Sequence, residues 1–326
     1  MAALTYTDAV NEALQRLRRV GFEHGRSFVN HAPMAAEALA HMGHADEVPG
    51  WVEHNLRSRT YHDVPERRWT IDPADPQDWN TALGDFSRVA DWTALFEREL
   101  AEEPWREVLA RWWPRLLPGM SAVLTHGVIR TAHAVRAVTA ADDNRLALGE
   151  LAQGLGYWAA RHSTHRTPAD TDDEQATEDN LETAAASNDP RDPTLRALDD
   201  LVARYAGIYA TVPQHHPIPL IHAITGPAAV RLVIEHLPPG QRHPSYRVAH
   251  AVSRTMLDWF NATPRPAAPL PDAPDVHEAF AQAVQVGDEH TIKLAEVAVR
   301  HQAFAPDPRH AAAAHTANQA IGRLYP

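Results

Sequence analysis

Apolar residues recur along most of the chain at the three- and four-residue spacing of helices. Val10, Leu14 and Leu17, for example, share one face of a predicted first helix. Alternating β-branched runs are nearly absent, and the best candidate strand, 68–71, is short and flanked by prolines. Further helices are predicted to begin near residues 33, 46, 91, 104, 144, 194, 245, 288 and 309, each at a capping residue or a proline or where the apolar spacing begins. The pattern predicts an all-α fold.

Two apolar stretches have a less regular pattern. Residues 120–138 are apolar nearly all round, which predicts one long buried helix. Residues 218–224 and 227–236 are also strongly apolar, but Gly226 and Pro227 lie between them. Because proline removes a backbone donor and clashes with the preceding turn, we expect two helices separated by a break here.

Two polar segments interrupt the helical pattern. Residues 163–193 are acidic and carry few large apolar side chains, which predicts a flexible acidic surface loop. Residues 263–275 hold five prolines and predict an extended, Pro-rich connector. The helices after the connector are too few to form an independent core. We therefore predict a single large multi-helix domain over residues 1–326.

The amino-acid composition excludes several classes of function. The 326 residues include no cysteine, which excludes a disulfide framework, a thiolate metal site, an iron–sulfur cluster and a cysteine nucleophile. A formal charge of −12 argues against a nucleic-acid partner. No apolar run approaches the roughly 18 residues of a membrane span. The N-terminal pattern is amphipathic and unlike a signal peptide, so we expect a cytoplasmic protein without a membrane partner.

Histidine is abundant, at 21 residues, and most of these lie in polar surroundings. Five lie in strongly apolar segments: His31, His126, His133, His222 and His290. His126 and His133 are two helical turns apart, with Arg130 between them on the same face. Burying these groups is costly unless they are paired or bind a metal. A metal site and a buried hydrogen-bond network both explain the pattern.

Lysine occurs once, at Lys293, among 30 lysines and arginines. It lies one helical turn after His290 and one turn before Glu296, so a solvent-exposed ion pair is one explanation. Arginine would serve an ion pair equally well in this arginine-rich chain. A buried, uncharged lysine can instead act as a nucleophile or take up carbon dioxide to form a carbamate, an anionic oxygen ligand. Arginine can do neither.

Four segments carry a resemblance to a known family. In order, NHAPM, THGVIRTAHAVRAV, HHPIPLIHAITGPAAVRLVIEHL and HTIKLAEVAVR resemble the questin oxidase-like family over residues 7–305. The resemblance implies an all-helical enzyme with a non-haem Fe(II) site that opens anthraquinone-type rings in polyketide pathways.

The resemblance also implies site residues. His31, His126, His133 and His222 would be imidazole ligands, and Lys293 would be carbamylated by carbon dioxide to complete the metal site. Arg130 and His290 are the candidate catalytic residues, with His290 either a direct ligand or a residue that supports the ligands. The implied partners are dioxygen and a small aromatic substrate, and monooxygenase and dioxygenase chemistry both stay open.

Other functions compete with this one. No GxGxxG motif follows a predicted strand, so NAD(P)H, if it is the electron source, has no recognisable binding motif here. A helical metallohydrolase would use zinc and consume no oxygen. A non-enzymatic helical binding protein would hold its histidines as core polar groups without metal. The sequence does not determine the oligomeric state.

Overall fold

The computed structural model describes residues 3–164, 171–186, 191–265 and 268–324. It confirms the all-α fold, with two short strands as the only sheet in the described residues. The chain forms two compact units, Met1–His165 and Arg166–Pro326, and each is described here by itself. The single domain inferred from the sequence stays a prediction.

The first unit contains eight α-helices within its described residues: α1 Tyr6–Leu17, α2 Ala32–His41, α3 Val48–Ser58, α4 Pro76–Ala82, α5 Val89–Glu102, α6 Trp105–Leu116, α7 His126–Ala140 and α8 Arg145–Ala160. Short 3₁₀ helices span Ala45–Glu47, Phe86–Arg88, Leu117–Gly119 and Ala122–Thr125. Strands β1 (Glu23–His24) and β2 (Phe28–Val29) pair antiparallel, with Glu23 opposite Val29. The best candidate strand in the sequence, 68–71, does not form a strand.

The second unit contains seven α-helices within its described residues: α9 Thr171–Ala186, α10 Pro193–Thr211, α11 Pro217–Val233, α12 Pro239–Trp259, α13 Val276–Val286, α14 Glu289–Phe304 and α15 Pro308–Gly322. A 3₁₀ turn, Ile234–His236, extends α11. The described residues of the Pro-rich connector, 263–265 and 268–275, form neither helix nor strand, as predicted.

Helix α9 corrects the prediction of a flexible loop over 163–193. Residues 171–186 are helical, whereas 165–170 and 187–190 lie outside the described residues. The low apolar content of the segment pointed to a loop, but alanine, glutamate and glutamine all have high helix propensity. Ala184 is buried, so at least one side of α9 packs within the unit.

Helix α11 is continuous through Gly226 and Pro227, so the predicted break is wrong. Pro227 has no N–H to donate to the carbonyl of Ala223, four residues earlier. The hydroxyl of Ser253 on α12 donates to that carbonyl instead, at 2.9 Å. A neighbouring helix therefore satisfies the group that the proline leaves unbonded.

The expectation that no apolar run approaches the length of a membrane span is wrong, because Pro217–His236 is long and apolar enough to cross a membrane by length and composition, although these alone are weak evidence. Of its most apolar stretch, 83% is buried inside the structure. Such burial is that of a core helix, and the segment supplies core positions of the second unit, among them Ile221, Ile224 and Val230.

A buried charge network lies within the second unit. Asp199 on α10 is 1% exposed and accepts hydrogen bonds from Arg231 at 3.0 Å and Arg191 at 3.1 Å. His301 on α14 is fully buried, with its Nδ1 atom 3.4 Å from the Asp199 carboxylate. Burial opposes ionisation of Asp199, but His301 and Arg231 together lower its pKa. The network therefore depends on an ionised aspartate.

The buried His301 predicts a loss of stability in mild acid. Burial lowers its pKa from 6.5 to about 4, although Asp199 opposes that shift. Between these values the unfolded chain binds a proton that the folded chain does not, so stability falls as pH falls. The wild type should lose unfolding free energy between pH 7.5 and 4.5. We expect this loss to be about 2–3 kcal/mol smaller in His301→Gln. Urea unfolding at both pH values measures it.

The exposed His277 offers a matched control for this measurement. His277→Gln should retain the full pH dependence of the wild type. An unchanged pH dependence in His301→Gln would show that His301 does not titrate as its burial predicts.

Candidate metal centre

The first unit holds two adjacent buried histidines, His31 and His126. His31 precedes the first residue of α2, and His126 is the first residue of α7. Their Nε2 atoms are 2.6 Å apart, and the rings meet nearly at right angles. Asn30 fixes the start of α2, because its side chain accepts from Ala32 N and donates to Gly21 O, each at 3.0 Å. Each histidine of the pair is therefore positioned by the start of a helix.

An unusual turn places His126. Val123, Leu124 and Thr125 all have positive φ angles, of 42°, 53° and 62°. This left-handed conformation costs a residue other than glycine roughly 1–2 kcal/mol. The predicted helix over 120–138 is therefore wrong in its first part, because α7 begins only at His126. Strain of this kind concentrates at functional sites.

The turn also sets the tautomer of His126. The Nδ1 atom of His126 is hydrogen-bonded to the carbonyl oxygen of Val123, and a carbonyl can only accept. Nδ1 therefore carries the proton, and Nε2 presents its lone pair toward His31. A metal-binding histidine has this arrangement, with its second ring nitrogen held by a carbonyl or carboxylate.

His222 on α11 has the same arrangement in the second unit. It is 1% exposed, and its Nδ1 atom lies 3.2 Å from Ile218 O and 3.1 Å from Pro219 O. Burial lowers the pKa of His222 well below its ordinary value, and the charges of His290 and Lys293 lower it further. His222 is therefore a neutral imidazole whose Nε2 lone pair is available.

His290 near the start of α14 packs against His222, with ring centroids 5.6 Å apart. Its Nδ1 atom lies 3.1 Å from the carboxylate of Asp288, the residue that caps α14. Although burial opposes ionisation of Asp288, hydrogen bonding to His290 lowers the pKa of that carboxyl. The carboxylate orients the His290 ring and leaves Nε2 to bind a ligand.

Lys293 lies one turn after His290 on α14 and is 1% exposed. A positive charge on Lys293 contributes to the lowered pKa of His222. The role of Lys293 as a carbamylated ligand stays a prediction.

Each unit holds a pair of buried histidines that could contribute to binding a metal ion, His31 with His126 in the first and His222 with His290 in the second. The residues fit that role, because in His126, His222 and His290 the Nδ1 atom is engaged by oxygen and Nε2 is left for coordination. Asp288 and Glu289, beside His290, form a second group that offers carboxylate oxygens.

His133, the remaining predicted ligand, has other partners. Its Nδ1 atom lies 2.6 Å from Glu37 on α2, which also accepts hydrogen bonds from Arg136 and Tyr6. Burial opposes ionisation of Glu37, but Arg136 and His133 lower its pKa to about 2. His133 belongs to neither histidine pair, and its role as a ligand stays a prediction.

Arg130, a predicted catalytic residue, is held by a bidentate ion pair. Its Nε and Nη2 atoms donate to Glu150 at 2.6 and 3.0 Å, and its guanidinium lies over the ring of Phe22. These contacts tie α7 to α8 within the core of the first unit. A catalytic role for Arg130 stays a prediction.

Sequence reasoning missed the groups that orient the histidines. Asp288 was predicted only as a helix start, and the Val123 carbonyl has no sequence signal. Glu37 did have one, because it is the single acidic residue in the otherwise apolar segment 32–40. No family model matches the chain, and no curated protein was found to be similar to it.

Proposed function

We propose that the protein is a non-haem iron-dependent oxidoreductase that catalyses oxidative ring opening or C–C cleavage of an aromatic polyketide-like substrate. The observation that carries the proposal is the set of buried histidines whose Nδ1 atoms are held by oxygens, leaving Nε2 for a metal. The resemblance of the surrounding segments to questin oxidase-like proteins supplies the reaction class.

In the proposed site, both histidine pairs contribute ligands to one iron, and Lys293 contributes an anionic oxygen as a carbamate. Imidazole with one anionic oxygen suits divalent iron. His290, a candidate catalytic residue, is then a direct ligand, and Asp288 holds its ring in place. Burial of Lys293 supports this role, because an uncharged amine is favoured where water is excluded.

Bound iron would supply the activation of dioxygen. The chain itself supplies orientation, since Asp288 and the Val123 carbonyl fix the rings of their histidines. Neutral imidazoles and a single carbamate leave the proposed centre with net positive charge. That charge favours a substrate that binds as an anion, such as an ionised phenol.

The proposal is tested by metal analysis of protein purified without oxygen, followed by oxygen-uptake assays with emodin, a hydroxyanthraquinone, and ascorbate or NADPH as reductant. We expect about one iron per chain in the wild type. His126→Ala and His222→Ala should each reduce bound iron at least about tenfold, since one centre needs both pairs.

Exposed histidines provide controls in each unit: His54→Ala and His277→Ala should keep their iron. If the two site variants each lost only half of two bound ions, two separate sites would replace the shared centre. Zinc with no oxygen uptake would favour the metallohydrolase. A wild type that binds no metal would favour the binding protein.

A further inference from the structure

A cluster of aromatic rings surrounds Trp112 in the first unit. Trp112 on α6 is fully buried, and its ring meets Trp92 and Phe96 of α5 edge to face, with ring centroids 5.5 and 5.2 Å apart. Trp79 of α4, which is partly exposed, lies 5.8 Å from the same ring. Aromatic rings at these distances are in contact. The cluster therefore joins a buried indole to one that solvent reaches.

The indole N–H of Trp112 donates to a carboxylate. Its Nε1 atom lies 2.6 Å from Oε2 of Glu99, a residue that is itself buried. The neighbouring Trp92 donates instead to the carbonyl oxygen of Ala82, at 3.1 Å. A carboxylate takes up a proton readily, whereas a peptide carbonyl only accepts hydrogen bonds. The N–H of Trp112 is therefore bonded to a base, and the N–H of Trp92 is not.

An arginine governs which form of an oxidised indole is stable in this cluster. The guanidinium of Arg115 lies over the rings of both Trp79 and Trp112, 4.9 and 4.5 Å from their centroids. Its positive charge opposes a second positive charge on either ring. An indole that loses an electron here is therefore stable only when it also loses its N–H proton. At Trp112 the Glu99 carboxylate is in place to accept that proton.

We propose that Trp112 is a redox-active residue. A strong one-electron oxidant removes an electron from the indole, the N–H bond breaks, and the proton passes along the hydrogen bond to the Glu99 carboxylate. The products are a neutral indole radical, a protonated Glu99 and the oxidant reduced by one electron. One electron from a soluble reductant such as ascorbate, with the proton returned from Glu99, restores both side chains.

A series of indoles leads from Trp112 toward a candidate metal ligand. Trp113, the next residue along the chain, meets the ring of Trp158 edge to face at 5.2 Å. A Cβ atom on Gly127 would lie 2.7 Å from three atoms of the Trp158 side chain, so this indole packs directly on the residue that follows His126. A protective use of the series rests on the proposed function: an oxidising equivalent at the iron that meets no substrate would pass to Trp112 and spare the histidine ligands.

Laser photolysis of metal-free protein tests the redox activity of Trp112 independently of the iron proposal. The chain has no cysteine, so the exposed Asn80, next to Trp79, can be changed to cysteine and labelled at a single position with a ruthenium polypyridyl complex. A flash in the presence of a quencher converts the label into a strong one-electron oxidant. We expect the visible absorption of a neutral tryptophan radical. Trp112→Phe should abolish this absorption, and Glu99→Gln should slow its formation about a hundredfold or more.

Two matched variants should keep the radical. Trp92→Phe removes an indole of the same cluster that donates to a carbonyl, and Glu103→Gln removes the other carboxylate partner of Arg111, which also pairs with Glu99. The proposal would be overturned by no radical in the wild type, by a radical that persists unchanged in Trp112→Phe, or by equal rates in Glu99→Gln and Glu103→Gln. Thermal unfolding of each variant distinguishes a lost radical from a lost fold.

The protective use is tested in iron-loaded protein treated with hydrogen peroxide, with oxidised residues located by mass spectrometry. We expect oxidation of His126 and Trp158 to rise in Trp112→Phe and to stay at the wild-type level in Trp92→Phe. Equal oxidation in the two variants would overturn this use of the series, whereas the photolysis result does not depend on it.

Discussion

Replacing Lys293 with arginine is expected to lower oxygen-dependent activity by about a hundredfold or more and to remove most of the bound iron. A carbamate forms when the uncharged lysine nitrogen attacks carbon dioxide, makes an N–C bond and releases one proton. A guanidinium does not undergo this reaction. The variant would therefore keep a basic group at a site that is 1% exposed but would lose the anionic oxygen ligand.

Chemical rescue separates loss of a ligand from damage to the fold. Lys293→Ala leaves space where the side chain lay, and acetate added to this variant can supply the missing carboxylate oxygen. We expect acetate to restore iron binding to Lys293→Ala but not to Lys293→Arg, where the guanidinium fills the space. Metal analysis after removal of free iron, with oxygen uptake alongside, measures both effects.

Arg300→Lys, on the same helix, is the control for a basic substitution in α14 and should retain iron. The carbamate proposal would be contradicted if Lys293→Arg bound iron and consumed oxygen like the wild type. It would be contradicted equally if wild-type protein prepared without carbon dioxide bound as much iron as protein supplied with bicarbonate.

Replacing Asp199 with alanine is expected to lower the free energy of unfolding by about 3–5 kcal/mol. The change leaves Arg231, whose side chain is 5% exposed, with Glu235 as its ion-pair partner, and Glu235 is 59% exposed. Losing the buried partner of a buried charge is far more costly than losing an exposed partner. Urea unfolding at pH 7.5 measures the difference.

The other partner of Arg231 gives the matched control. Glu235→Ala removes an exposed ion pair from the same arginine and should cost less than about 1 kcal/mol. In the double variant Asp199→Ala with Arg231→Met, the cost should fall well below the sum of the two single changes. Equal costs for the Asp199 and Glu235 variants would show that burial does not govern this network.

Sequence predicts the helices best where a capping residue precedes regular apolar spacing. The starts of α6 after Pro104, α8 after Asn144 and α14 after Asp288 all agree with the prediction. Asn144, for instance, accepts hydrogen bonds from Leu146 N and Ala147 N. Such signals are local, so a single segment contains everything needed to recognise them.

Where the prediction fails, the deciding contact comes from elsewhere in the chain. The break expected at Pro227 is absent because Ser253, 30 residues from Ala223, satisfies the free carbonyl. The opposite error occurs at 123–125, where valine, leucine and threonine give no sign of left-handed backbone. Neither outcome follows from local propensity, because tertiary packing decides both.

At the candidate site, too, the residue types could be predicted from the sequence, but their contacts could not. An imidazole in an apolar segment is recognisable from the sequence, and four of the five histidines selected this way form the two buried pairs, one in each unit, that could contribute to binding a metal. Sequence spacing did not separate His133 from the others, because its partner Glu37 lies 96 residues away. The oxygens that hold the rings of His126, His222 and His290 lie within four residues of them, but no sequence pattern shows that they bond to the rings.

The left-handed run Val123–Thr125 has a consequence for engineering this protein. Glycine adopts positive φ without steric cost, so a stability screen would select glycine at these positions. The same change would loosen the carbonyl that holds the His126 ring. Selection for thermal tolerance and selection for metal retention would then favour different residues at positions 123–125, and a library varied there would show how far the two properties oppose each other.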